Sequence, residues 1–438
     1  MTGNGTRSEA PVQHLSRSRP TMMNSATTLP TLICLVVAIE SLSSPNVQAQ
    51  QSAVERATVH SMPGFRISSP QVELNVTETG GHMAPVTFFR DAEQPIQPYY
   101  ISPWQDEPRE PIPAPVMVPL RGDFFCMPFG GNTTPVPGEA HPPHGEVSGS
   151  EWKAVGAESH RDVTTLTLEL STNVRRGTIR KELSLVDGQN VVYSRHTING
   201  FAGKVPLGHH ATLAMPDQEG SVRIATSAIR FGMTFPGMFS RPSAREYQRL
   251  LPGTKWTDLS RVPQAWKNSE NADLTRLPGP AGYADLVQLV NDTAAAPKEP
   301  AWTTATFAEK GYVWFSLKDP EILRTTVFWM ENRGRHAYPW NGRNNCLGLE
   351  DVTSFFAEGL AESTSENVLT QQGVPTALEL KSDHPTVVNY IQGVAKIPKD
   401  FDVVKHIKFE SSQITLTAAS GAQVNVPVRW QFIESGQL

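Results

Sequence analysis

Cysteine is scarce, with three residues in a chain of 438. That excludes a disulfide framework and a cysteine-rich zinc site. Cys34 falls in an N-terminal leader-like segment, so a processed chain keeps Cys126 and Cys346, which can pair once in an oxidising compartment or remain two buried thiols. Long apolar runs are missing too. The longest, Leu32–Ile39, is far too short to cross a bilayer, which excludes stable membrane insertion by a helix. Runs of like charge are also lacking, and the formal net charge is only −5. Neither nucleic acid nor an anionic membrane surface is indicated as a partner. Sustained helical stripes and internal repeats are absent, which excludes helical bundles and solenoids.

What the chain does have is proline (36) and glycine (32), with an apolar fraction of 39% spread through short segments. This composition favours a β-rich, loop-rich protein. Residues 1–50 read as an address. Arg17 and Arg19 precede the Leu32–Ile39 apolar core, and Val47-Gln48-Ala49 offers the small residues a signal peptidase accepts. A periplasmic or secreted location is therefore expected. Residues 51–70 show no periodicity and read as a linker, and 71–438 read as one domain.

The strongest β signal lies in the first half of that domain. Leu166, Leu168 and Leu170 alternate with polar residues, 179–186 repeats the pattern, Asp187-Gly188 marks a turn and 191–198 is a further strand. These are consecutive antiparallel hairpins. Strands resume at 312–317 and 325–330, and a hairpin at 414–418 and 424–428 closes the chain. Helices are expected at 243–251, 283–290 and 385–392, and the proline- and aromatic-rich 99–119 segment reads as a loop with an aromatic surface.

Asn341 to Ser354 is the stretch that carries chemistry. Asn341-Gly342 and Asn344-Asn345 are turn residues, and the segment that follows can run extended. A strand there puts Cys346, Gly348, Glu350 and Val352 on one face and Leu347, Leu349 and Asp351 on the other. Glu350 is then a carboxylate beside a glycine that leaves space for a ligand, and Asp351 drops out. Upstream, His144-Gly145 follows two prolines on a rigid turn. In Gly208-His209-His210-Ala211 the adjacent rings must face opposite sides of an extended segment, so one is available and the other is core-facing. One carboxylate base with imidazole acids suits proton shuttling at oxygen. A zinc set of His141, His144, His210 and Glu350 is the rival reading; it follows no recognised ligand spacing.

The order His144-Gly145, then His210, then the late strand Leu347-Gly348-Leu349-Glu350 resembles the aldose 1-epimerase, or galactose mutarotase, family. Pro128-Phe129-Gly130-Gly131-Asn132 resembles the segment before that family's first active-site turn. The resemblance implies a large twisted antiparallel β-sandwich, all-β apart from a few short helices, acting on a sugar or oligosaccharide without cofactor or metal. It implies Glu350 as the base, with His210 and His144 as acids, and Arg121, Asn132, Gly348 and Trp152 around the substrate. Two departures stand out. Thr133 follows Asn132 where the best-known enzymes carry arginine, so Arg121 is the candidate for the missing charge, and His210 is followed by Ala211-Thr212 instead of proline and an aromatic pair. A non-catalytic carbohydrate-binding protein of the same fold is the alternative.

Overall fold

The computed structural model describes residues 50–438 apart from 53 and 109. The leader expectation, Cys34 included, lies outside these residues. Among them, no helix is long and apolar enough to cross a membrane.

Two antiparallel sheets are stacked face to face. The larger has ten strands and is built around the expected hairpins Val163–Thr172, Gly177–Val186 and Val191–Asn199, flanked by Lys153–His160 on one side and continuing through Thr386–Lys396, Tyr312–Lys318 and Ala301–Phe307 on the other. The eight-stranded sheet has Ile229–Thr234, Tyr283–Asn291, Thr325–Asn332 and Asn345–Thr353 side by side, with Leu207–His209 and Ala211–Ala214 both pairing to the last of these.

The layers follow from the period of two. Leu166, Leu168 and Leu170 from the larger sheet meet Leu213, Leu347 and Leu349 from the smaller in the central core. Each such side chain contributes about 1.5–3 kcal/mol on burial. The opposite face of the smaller sheet carries Cys126, Leu286, Val327, Trp329, Cys346 and Val352, covered by loop residues Tyr100, Trp104, Val116, Leu120 and Phe129. The outer face of the larger sheet is covered by a three-stranded C-terminal sheet, Val404–Phe409, Gln413–Ala418 and Gln423–Pro427.

Five local expectations are corrected. The supposed linker 51–70 contains strands Glu55–Val59 and Met62–Ser68, which join Val72–Thr77 and Met83–Phe88 in a separate sheet; the first is mostly exposed, so its sequence carries little apolar periodicity. The expected helices 283–290 and 385–392 lie in the strands Tyr283–Asn291 and Thr386–Lys396. Both strands are covered on two faces, so alternation disappears and a continuous apolar run imitates a helical one. At 243–251 there is only a short 3-10 turn, Pro242–Ala244. The rings of 99–119 mainly pack inward: Trp104 is buried, edge-on to Trp340 at 5.1 Å.

A polar network threads the central core. Asp351 pairs with Lys318 at 2.6 Å and accepts hydrogen bonds from Ser316, Thr326 and Tyr390 at 2.7–2.9 Å. Asp123 contacts His209 at 2.8 Å and accepts from Gln392 at 2.9 Å. Cys126 and Cys346 are both buried and free.

Candidate active site

Glu350 lies on the face of the Asn345–Thr353 strand turned away from the central core. Its neighbours are set by register: Val327 sits opposite Glu350, while Trp329 and Thr212 flank Gly348 from either side. Cross-strand partners share a face, so Trp329, Thr212 and Glu350 converge. A Cβ on Gly348 would lie 2.5 Å from Glu350 Oε1 and 3.1 Å from Trp329 Cβ. The glycine thus makes room for the Glu350 carboxylate itself and sits under the site; the cavity is lined by other residues.

His210 falls between the two short strands that pair to this element, and its ring meets the carboxylate at 3.2 Å, Nε2 to Oε1. Its other nitrogen is 3.1 Å from Thr212 Oγ1, whose hydroxyl is 3.5 Å from the His210 carbonyl. With that hydroxyl donating to the carbonyl, the assigned tautomer has Nδ1–H donating to Oγ1 and Nε2 facing Glu350. Phe124 stacks on His210 at 4.5 Å, and His82 stacks on the far side of Phe124 at 3.9 Å. His209 points the opposite way, to Asp123 and the face of Tyr390.

His144 completes the group, 5.1 Å from His210 between ring centroids. Its backbone is in the left-handed region, φ 59°, and Gly145 follows at φ 76°, where any Cβ would strike the Met127 carbonyl oxygen at 2.0 Å. Strained non-glycine backbone of this kind clusters at working sites. His144 Nδ1 accepts the Gly130 N–H at 3.4 Å, which leaves Nε2–H as a donor.

Burial governs the protonation states. It pushes the Glu350 carboxyl well above the usual range, opposed by the positive charge of Arg335. It pushes His210 well below the usual imidazole value, and lowers His144 to about 4. Burial therefore favours the neutral form of each group, a carboxylic acid donating to a neutral His210 beside a neutral His144.

These groups open onto a cavity of about 220 Å³ walled by Val116, Met117, Leu120, Phe124, Leu286, Trp329, Phe239 and Trp340, with Arg335 at its edge. The Arg335 guanidinium lies over the rings of Phe239, Trp340 and Trp329 at 4.9, 5.5 and 5.9 Å, and its Nε is 3.3 Å from Glu331, whose carboxyl is raised to about 7 by burial. A larger groove of about 620 Å³ runs over the ten-stranded sheet near the C-terminus, but its charges largely neutralise one another, as in Arg180–Glu182 and Arg429–Asp162.

Three of the seven expected site residues come together: Glu350, His210 and His144. Gly348 acts from beneath. The other three are spent on structure. Arg121 is buried and donates to the carbonyls of Val59, His60 and Ala84 and to the Gln105 side chain. Asn132 clamps a loop, donating to Pro128, Gly130 and Pro142 and accepting from Leu360 N–H. Trp152 bonds the Val147 carbonyl, with the Lys181 ammonium over its ring. His141 belongs to a separate ion pair with Glu139. Among the described residues no group of three or more His, Cys, Asp or Glu side chains is arranged to hold a metal ion. Arg335, Trp329, Phe239 and Trp340 were not legible as site residues, although the alternation Val327, Trp329, Glu331 already placed Trp329 on one strand face.

The stacked sheets, their strand order and a loop-covered outer face define the galactose mutarotase-like β-sandwich. The chain is similar in structure to a galactose mutarotase-like protein from Clostridium acetobutylicum, with TM-score 0.54 and 12% identity over 79% of this chain and 99% of that one. It is also similar to a candidate mutarotase from Salmonella typhimurium, with TM-score 0.51 and 13% identity over 80% of this chain and 96% of that one. At these identities the likeness establishes the fold. No family model and no curated protein matches the chain by sequence.

Proposed function

We propose that this protein interconverts the anomers of a sugar by acid–base ring opening. The observation that carries the reading is the buried contact of Glu350 with His210, 3.2 Å apart at the wall of a ring-sized cavity. The pair needs one proton in total. Moving it from Glu350 to His210 creates a carboxylate base and an imidazolium acid together, with no change in net charge. Glu350 then takes the proton of the anomeric hydroxyl, the oxygen lone pair forms the C1 carbonyl, and the C1–ring-oxygen bond breaks as His210 protonates the departing oxygen. His144 donates a hydrogen bond from Nε2 to the same developing alkoxide. Rotation about the C1–C2 bond and closure by the reverse proton transfers give the other anomer, and the enzyme returns to its starting state.

Following anomer interconversion by NMR for wild type and Glu350→Gln tests this. Acceleration by wild type and its loss, by about a thousandfold or more, in the variant is the expected result. The second reading is a carbohydrate-binding protein without turnover, favoured by how deeply Glu350 and His210 are buried, at 1% and 5% exposure. Binding of sugars without acceleration supports it. Export to the periplasm or medium, from the leader-like 1–50 segment, belongs to the same proposal; recovery of the intact N-terminus from the cytoplasm would contradict it.

A further inference from the structure

The cavity wall is chemically unlike what a fully hydroxylated sugar requires. Leu120, Phe124, Leu286, Trp329 and Trp340 offer carbon to the ligand, and little polar surface interrupts them. The hydrogen-bonding side chains that line the cavity are Glu350, His210, His144, Arg335, Trp329 and Trp340, and the buried Trp329 indole N–H has no partner among the described residues. In ring opening the first three are committed to the anomeric hydroxyl and the ring oxygen. That leaves only donors, the Arg335 guanidinium and two indole N–H groups, and no side-chain acceptor for the hydroxyl protons of the rest of the ring. Arg335 is built to donate, because Glu331 holds its Nε at 3.3 Å and three aromatic rings fix its plane, while its two terminal nitrogens make no hydrogen bond to any described residue. Each further hydroxyl enclosed against carbon goes unpaired, which weakens binding by about 5- to 100-fold. Removing it lifts that penalty, and a methyl in its place gains burial.

The geometry points to a single deoxygenated aldopyranose as the substrate: a deoxy sugar that keeps its anomeric hydroxyl and presents its few remaining oxygens to Arg335 and the indole N–H groups. The size agrees, since about 220 Å³ is below the usual range for a drug-sized ligand and encloses one ring without a second. This inference rests on the ring-opening reading for the roles of Glu350, His210 and His144, and the test separates the two.

Initial rates of anomer interconversion are measured by NMR for the full chain with glucose, galactose, fucose, which lacks one hydroxyl, and digitoxose, which lacks a second. The expected result is kcat/KM rising by about tenfold or more from glucose to fucose and again to digitoxose. Arg335→Lys, which keeps the positive charge that acts on Glu350 but loses the planar fork, is expected to raise KM for digitoxose by about tenfold while changing kcat far less, because Arg335 holds an oxygen remote from the reacting bond. Equal or faster turnover of glucose overturns the substrate assignment and leaves ring opening standing. Absence of acceleration with every sugar overturns ring opening instead. In that event ligand-observed NMR with methyl digitoxoside and methyl glucoside decides the assignment: tighter binding of the deoxy glycoside supports it, and equal binding or none overturns it.

Discussion

Glu350 and His210 are each held far from their solution behaviour by the same cause, burial, acting in opposite directions on an acid and a base. One consequence is a broad pH range in which the pair holds a single proton. Activity is expected to be flat around neutrality and to fall on both sides, as a second proton is added or the first removed, in a pH profile of kcat/KM. Stability carries a related signature. Unfolded Glu350 ionises above about 4.5, whereas the folded carboxyl resists, so folding loses stability as pH rises from that point towards the raised folded value. Glu350→Gln removes the penalty, and its melting temperature at pH 7 should exceed that of wild type while turnover is lost. His144 runs the other way. Its folded value near 4 against about 6.5 unfolded means the unfolded chain binds the proton first. The contribution is full above about 6.5 and is lost as pH falls to about 4, amounting to about 3 kcal/mol. In urea titrations across that window, His144→Gln should flatten the acid decline by this amount; an unchanged slope would contradict the assignment.

At the level of the element, the Asn345–Thr353 strand carries both the proposed chemistry and part of the core. Glu350 and Asp351 leave it in opposite directions, one to the cavity and one to Lys318. Gly348 is the position on which the geometry of the first depends. Gly348→Ala puts a methyl 2.5 Å from Glu350 Oε1, and the carboxylate must turn away from His210. We expect kcat/KM to fall by about 10- to 100-fold with the circular dichroism spectrum intact, since a displacement of about 1 Å at reacting groups costs this much. The face assignment of this strand was legible because a period of two needs only the register of one residue. The division between His209 and His210 was legible for the same reason. The purpose of Gly348 was not, because the distance from a missing Cβ to Glu350 depends on the Glu350 rotamer. Arg121, Asn132 and Trp152 looked like ligands to a sugar because buried structural polar groups and site polar groups share residue types. Only their partners separate them, and those partners come from distant segments: Val59 for Arg121 and Leu360 for Asn132.

For the molecule as a whole, the sandwich was legible where strands have one wet face, as in 163–199, and illegible where strands are covered twice, as in Tyr283–Asn291 and Thr386–Lys396. Those doubly covered strands lie next to the buried pair Lys318–Asp351, which links the two sheets. Lys318→Met leaves Asp351 as an uncompensated charge and should destabilise the fold by about 3–5 kcal/mol in urea unfolding. Replacing both, Lys318→Met with Asp351→Leu, should recover most of this loss. A double variant as weak as the single one would show that the remaining donors, Ser316, Thr326 and Tyr390, matter more than the cation.

Leu286 and Trp329 share the sheet of the Glu350–His210 pair, but much of the remaining wall comes from other parts of the chain. Glu350 and His210 belong to the paired strand system, whereas Met117, Phe239, Arg335 and Trp340 sit on connections between elements. On the ring-opening proposal, proton chemistry and taste for a particular ring are in large part separately heritable. Insertions and exchanges in the connections would then redirect the scaffold from one sugar to another, while the strand that holds the carboxylate would tolerate little change. A lineage of such proteins would diversify by its loops and keep the dipeptides His209-His210 and Glu350-Asp351 in place.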